Sequence, residues 1–170
     1  MKGRVFVAEV IRTGSALGFG VGTRLEEATL SLPLDYVDDV QGRGKDKVLR
    51  RDYGILEVTC GQPSDWVVQT VSVQMHRLAS LPDLRRAVSE NLQIDCEPYT
   101  SWQEVAGELK GHGDVELVEP QLDYSGYRVV SARSTGVSAY VVKDPEVTRG
   151  VYPADGDLWS LEIMSPQFMP

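Results

Sequence analysis

The stretch KVLRRDYGILEVTCGQPSDWVVQTVSVQMH, Lys47–His76, decides how the chain is read. Leu56, Val58 and Cys60 alternate with Glu57 and Thr59, which makes one face of an extended segment apolar. Asp52–Gly54 forms a tight turn before it, and GQPSD, Gly61–Asp65, forms another after it. The next run alternates again. Val67, Val71, Val73 and Met75 are expected on one face, and Trp66, Thr70, Ser72, Gln74 and His76 on the other. The prediction is a three-stranded antiparallel meander from Lys47 to His76.

Helical signals flank this meander. Val5–Ile11 fits a helix through Val5, Ala8 and Ile11 or, as a short β-branched run, a strand, and the helix is favoured. Thr23 and Glu26 match a capping box for a short helix that reaches about Leu30 and stops at Pro33. LDYVDDVQGRGKDK, Leu34–Lys47, reads as an exposed loop. Ser80 is expected to cap a helix to Leu92, with Pro82 in its first turn and Leu81, Leu84, Val88 and Leu92 as its buried stripe. Thr100 and Gln103 suggest a capping box for a helix lined by Trp102, Val105, Ala106 and Leu109. Strands are expected at Val115–Val118, Tyr127–Ala132, Val137–Val142 and Leu158–Ile163. The fold class is α+β, an antiparallel sheet flanked by three to four helices.

The order of elements repeats loosely. A capped helix, strands and a last strand bearing a tryptophan occur once before His76 and once after Thr100. The chain reads as one domain, 1–170, with possible subdomains 1–78 and 98–170 joined by helix 80–92. At 170 residues with 42% hydrophobic content it is large enough to bury a core without staples. Two cysteines, Cys60 and Cys96, are too few for a disulfide scaffold, so a buried reduced thiol is expected at Cys60. Glu9 interrupts the apolar run after Lys2 and Arg4, which argues against a signal peptide. No apolar segment is long enough to span a bilayer, and cytoplasmic residence is expected.

Charge and motifs exclude several chemistries. A net charge of -8 argues against a nucleic-acid backbone as partner. GSALGFGVGTRLEE, Gly14–Glu27, has four glycines before a helix, but Thr23 stands where a dinucleotide fingerprint needs its third glycine, and no lysine completes a Walker loop. The stretch therefore reads as a turn that sets the entry into the helix. His76 and His112 have no second ligand at metal spacing, and the acidic loops around Asp35–Asp39 and Asp155–Asp157 lack calcium-loop spacing. No cofactor and no metal are expected. Tyr36 beside Asp35, Asp38 and Asp39, with Tyr53 nearby, suggests an acidic-aromatic anchor for a basic protein partner. The competing readings are a small enzyme with its site between the halves, using His76 or the acidic loops, and a scaffold or regulatory subunit.

Leu17–Cys60, LGFGVGTRLEEATLSLPLDYVDDVQGRGKDKVLRRDYGILEVTC, with MHRL at Met75–Leu78, resembles small uncharacterised actinobacterial proteins. In them a glycine-led helix precedes an LRxDYGxLE hairpin and an alternating strand. These look like immunity proteins of bacterial polymorphic toxin systems, and the similarity covers residues 14–78. It implies a chain that binds and neutralises a cognate toxin, and it carries over no functional residue.

Overall fold

The structure is a computed structural model that describes residues 1–62, 65–111, 115–120, 124 and 126–168. Eight strands make one antiparallel sheet: β3 (Val37–Gln41), β4 (Val48–Asp52), β5 (Leu56–Gly61), β6 (Val67–Val73), β7 (Leu117–Val118), β8 (Tyr127–Ala132), β9 (Val137–Val142) and β10 (Leu158–Ile163). Their spatial order is β3-β4-β5-β6-β10-β9-β8-β7. A separate two-stranded ribbon pairs β1 (Ser15–Ala16) with β2 (Phe19–Gly20). The helices are α1 (Gly3–Thr13), α2 (Leu25–Thr29), α3 (Arg77–Ser80), α4 (Pro82–Leu92) and α5 (Trp102–Lys110). The α+β class is as the alternation and capping patterns implied.

The helix expected from Ser80 to Leu92 is α4, which starts at Pro82, and the short helix α3 precedes it. Pro82 disfavours helical backbone at the residue before it, and Leu81 sits at φ -122, ψ 82. Ser80 ends α3 and Leu81 turns outward, so Val88 is the buried residue of α4. The two capping boxes are absent as well. Arg24 and Ser101 occupy the caps of α2 and α5, and neither cap carries a side-chain hydrogen bond. The Thr23 hydroxyl accepts the amide of Gly20 at 3.2 Å.

The meander is β4-β5-β6, with Arg51 opposite Val58 and Val58 opposite Val71. Leu56, Val58, Cys60, Val71 and Val73 are all buried. Val67 is not the inward residue expected. The pairing steps from Thr59↔Thr70 to Cys60↔Val68, so Gln69 is a bulge and Val68 takes the buried place. The supposed loop 34–47 contains β3, an edge strand exposed along its whole length. VDDVQ shows no alternation because neither of its faces is buried. It is held by the ladder to β4 and by a bidentate pair from Arg51 to Asp38, both bonds 2.7 Å.

The hydrogen-bond ladder of one half repeats in the other. Leu25 and Trp102, the first residues of α2 and α5, donate to the carbonyls of Trp66 and Gly156. The amides of Val68 and Leu158 return to the carbonyls of Thr23 and Thr100. Each final strand then bulges at one point, at Gln69 in β6 and at Trp159 in β10. The strands β6 and β10 pair as Val71↔Ile163, Ser72↔Glu162 and Val73↔Leu161. Ser72 and Glu162, equivalent in the two ladders, face each other, so a pseudo-twofold axis passes between them. The halves nonetheless share one hydrophobic cluster, in which Phe6, Val7, Val10 and Ile11 of α1 join Val105 and Leu109 of α5 and the inner face of the sheet.

Candidate functional site

The glycine-rich stretch is spent on architecture. Gly14 caps α1 in the left-handed region at φ +66, where a Cβ would come within 2.4 Å of the Thr135 carbonyl oxygen. Phe19 is fully buried between Gly18 and Gly20. The amide of Gly22 donates to Val68 at 2.9 Å, and that of Leu25 to Trp66 at 3.0 Å. These amides face the start of β6, not an anion.

The five residues singled out as an acidic-aromatic anchor do not form one surface. Asp38 is neutralised by Arg51, and the Arg51 guanidinium lies 3.7 Å over the Tyr36 ring. Tyr53 is buried, with its hydroxyl 2.8 Å from Thr29 Oγ1 and its ring 5.5 Å from that of Tyr36. Tyr53 is therefore part of the core edge and not open to a partner. Asp39 faces the other side of β3 and accepts the Gln41 amide at 2.8 Å. Asp35, Tyr36 and Asp39 remain at the surface, beside an Asp38 carboxylate that Arg51 occupies.

His76 is placed by packing. Its ring stacks on Trp159 at 4.2 Å and 4°, and its Nδ1 lies 3.3 Å from the Trp159 carbonyl oxygen. Burial pushes its pKa below the ordinary value, so the ring is neutral at pH 7. His112 lies outside the described residues. Of the second acidic loop, Asp157 is buried and held by Arg149 through bonds of 2.8 and 2.7 Å. Among the described residues no group of three His, Cys, Asp or Glu side chains is arranged to hold a metal ion. No helix there is long and apolar enough to cross a membrane.

Both cysteines are free and buried. Burial pushes the Cys60 thiol up to about 11. Iodoacetamide at pH 8 should leave Cys60 unmodified in the folded chain and modify it in urea, as read by mass spectrometry. The raised value also fixes a sign. The contribution of Cys60 to stability is full below the ordinary thiol value of 9.0 and is lost as pH rises through about 11.

The cluster that sequence patterning missed lies on the face of the sheet away from the core. Strict alternation along LWSLEI would send Trp159 inward beside Leu161 and Ile163. The β10 bulge between Leu158 and Ser160 prevents this. Leu158 and Leu161 are both buried, and Trp159 and Ser160 both face out, on the side of Glu162. The spacing of the buried residues, three and then two, is the one local sign of the bulge. Around the half-exposed Trp159 stand His76, Tyr127 at 5.6 Å and Tyr152 at 5.8 Å. Tyr124 meets Tyr140 edge-on at 5.8 Å, and the Tyr140 hydroxyl donates to Glu162 at 3.0 Å. A cavity of about 340 Å³ opens between them, lined by Tyr124, Tyr127, Tyr140, Trp159, Ser72, Ser160 and Glu162. Burial pushes the pKa of Tyr140 well above the ordinary phenol value, so the hydroxyl stays a donor throughout the neutral range.

No protein-family model matches this chain, and no curated protein or solved structure matches it.

Proposed function

We propose that this chain is a non-enzymatic protein-binding module that neutralises a cognate bacterial toxin in the cytoplasm. The observation that carries the binding role is the aromatic cluster around Trp159. Trp and Tyr bury a large area with few rotors, and they dominate the energetics of protein interfaces. Here Trp159, Tyr127, Tyr152 and Tyr140 gather on the outer face of a sheet whose inner face already carries the core. The net charge of -8 favours a basic partner by speeding encounter. Toxin neutralisation is the form of binding that the resemblance of residues 14–78 implies. The interface lies on the second half of the sheet, since Asp38 and Tyr53 at the β3–β4 hairpin are engaged internally.

Co-expression tests the reading. A toxin domain taken as the candidate cognate partner should arrest growth alone, and the wild-type chain should restore growth and co-purify with it. Trp159→Ala should weaken the complex by about 2 kcal/mol or more, roughly thirtyfold in Kd by calorimetry, while the chain stays folded by circular dichroism. Growth arrest unrelieved by the wild-type chain would reject neutralisation. A Trp159→Ala chain that binds as well as wild type would reject this face as the interface.

A further inference from the structure

We infer that the cavity beside Trp159 is a receptor for one arginine side chain of a basic protein partner, with Glu162 as its counter-ion and Tyr127 and Trp159 as its stacking walls. The inference rests on the reading of this face as a protein interface and names the group it captures.

The repeated ladder supplies the strongest reason. Register places Gln69 where the second half has Trp159, Thr59 where it has Tyr140, Val48 where it has Tyr127, and Ser72 where it has Glu162. The first half makes the same bulge and the same ladder with these small or aliphatic and neutral polar residues. The backbone therefore demands neither the aromatic rings nor the carboxylate. Their concentration in one half calls for an explanation beyond folding.

The chemistry of the lining selects a cation. Aromatic faces carry negative potential and attract a guanidinium or ammonium placed over them. Glu162 is half-buried and has no lysine or arginine partner among the described residues. The carboxylate on the other side of Ser72 differs, since Glu57 is paired with Arg77 and Arg50. The Tyr140 hydroxyl fixes one oxygen of Glu162, which leaves the other for an incoming donor. A planar guanidinium suits this arrangement better than an ammonium, because it stacks on rings and bonds a carboxylate through its edge at once. The acidic charge of the chain favours a basic partner as its source.

Free amino-acid derivatives test the cavity without any partner, so a negative result here is distinct from a failure of the toxin to bind. The probe is N-acetyl-arginine amide, and the readout is the Trp159 indole N–H resonance, assigned by Trp159→Phe. A saturable shift with a millimolar Kd is expected. Its neutral isostere, N-acetyl-citrulline amide, should leave the resonance in place. Glu162→Gln should weaken arginine binding about tenfold, the size expected for a hydrogen bond to a charged group. Tyr127→Ala should weaken it as well, and it serves if Glu162→Gln does not fold. Equal binding of citrulline, absence of saturation by arginine, or tighter binding of tetramethylammonium than of arginine would each overturn the assignment.

Discussion

Leu161→Ala should lower the stability of the chain by about 3–5 kcal/mol, near the upper end for a buried leucine. Leu161 is fully buried in β10 and faces Val73 of β6 on one side and Ala139 of β9 on the other. The β6–β10 seam consists of three residue pairs, yet it is the line along which the two half-sheets join. Side chains under so short a seam carry much of the coupling between halves. Alanine next to Ala139 also leaves little that could collapse into the space, and the cost grows with the cavity that remains. In a chain of this size the thermal midpoint should fall by about 6–20 °C. Val73→Ala should cost less alone and combine non-additively with Leu161→Ala, because the two side chains are direct neighbours. Urea unfolding followed by fluorescence and circular dichroism checks both points. A loss under about 1 kcal/mol, or a wild-type chain that unfolds in two separate steps, would show that the halves do not depend on a shared core.

The same seam shows what patterning can and cannot reveal. The meander was legible because Leu56, Val58, Cys60, Val71 and Val73 alternate, and alternation reports one buried face. β3 was not legible, because VDDVQ lies at an edge with both faces in water, and burial is the only thing that patterning reads. Val67 and Trp159 were misplaced or passed over for a common reason. A bulge inserts one residue and shifts the phase beyond it, so a strict period of two assigns residues on one side of it to the wrong face. The capping boxes failed differently. Thr23 and Thr100 match the motif, but their carbonyls are needed to bind β6 and β10, which pulls the backbone away from the capping geometry. At the acidic-aromatic grouping around Tyr36, a count of nearby charges could not show that Arg51 reaches across the hairpin to Asp38. The aromatic site is assembled from β6, β8, β9, β10 and the loop before β10, so no local window contains it.

Asp157→Ala should cost about 2–4 kcal/mol and should also weaken partner binding at temperatures where the chain is still folded. Asp157 is 1% exposed. Its carboxylate accepts Arg149 Nε at 2.8 Å, Arg149 Nη2 at 2.7 Å and the amide of Ala154 at 3.1 Å. Its main chain pairs with Val142 and bridges to Ser101. Alanine would leave the Ala154 amide without its acceptor and release the clip that closes the loop before β10. Arg149→Ala should cost less, about 1–3 kcal/mol, because the guanidinium is half exposed and its charge is screened, although it strands a buried carboxylate. Arg149 also lies 5.2 Å over the Tyr99 ring, so the double mutant cycle should be run against Asp157 and not inferred from the single changes. The link to function is Tyr152, which sits in this loop with its ring 5.8 Å from Trp159. A loosened loop withdraws one wall of the aromatic cluster without touching Trp159 itself. Partner dissociation should therefore quicken in Asp157→Ala while Leu161→Ala, at matched fraction folded, leaves it unchanged. Equal dissociation rates in the two variants would mean that Tyr152 takes no part in the interface.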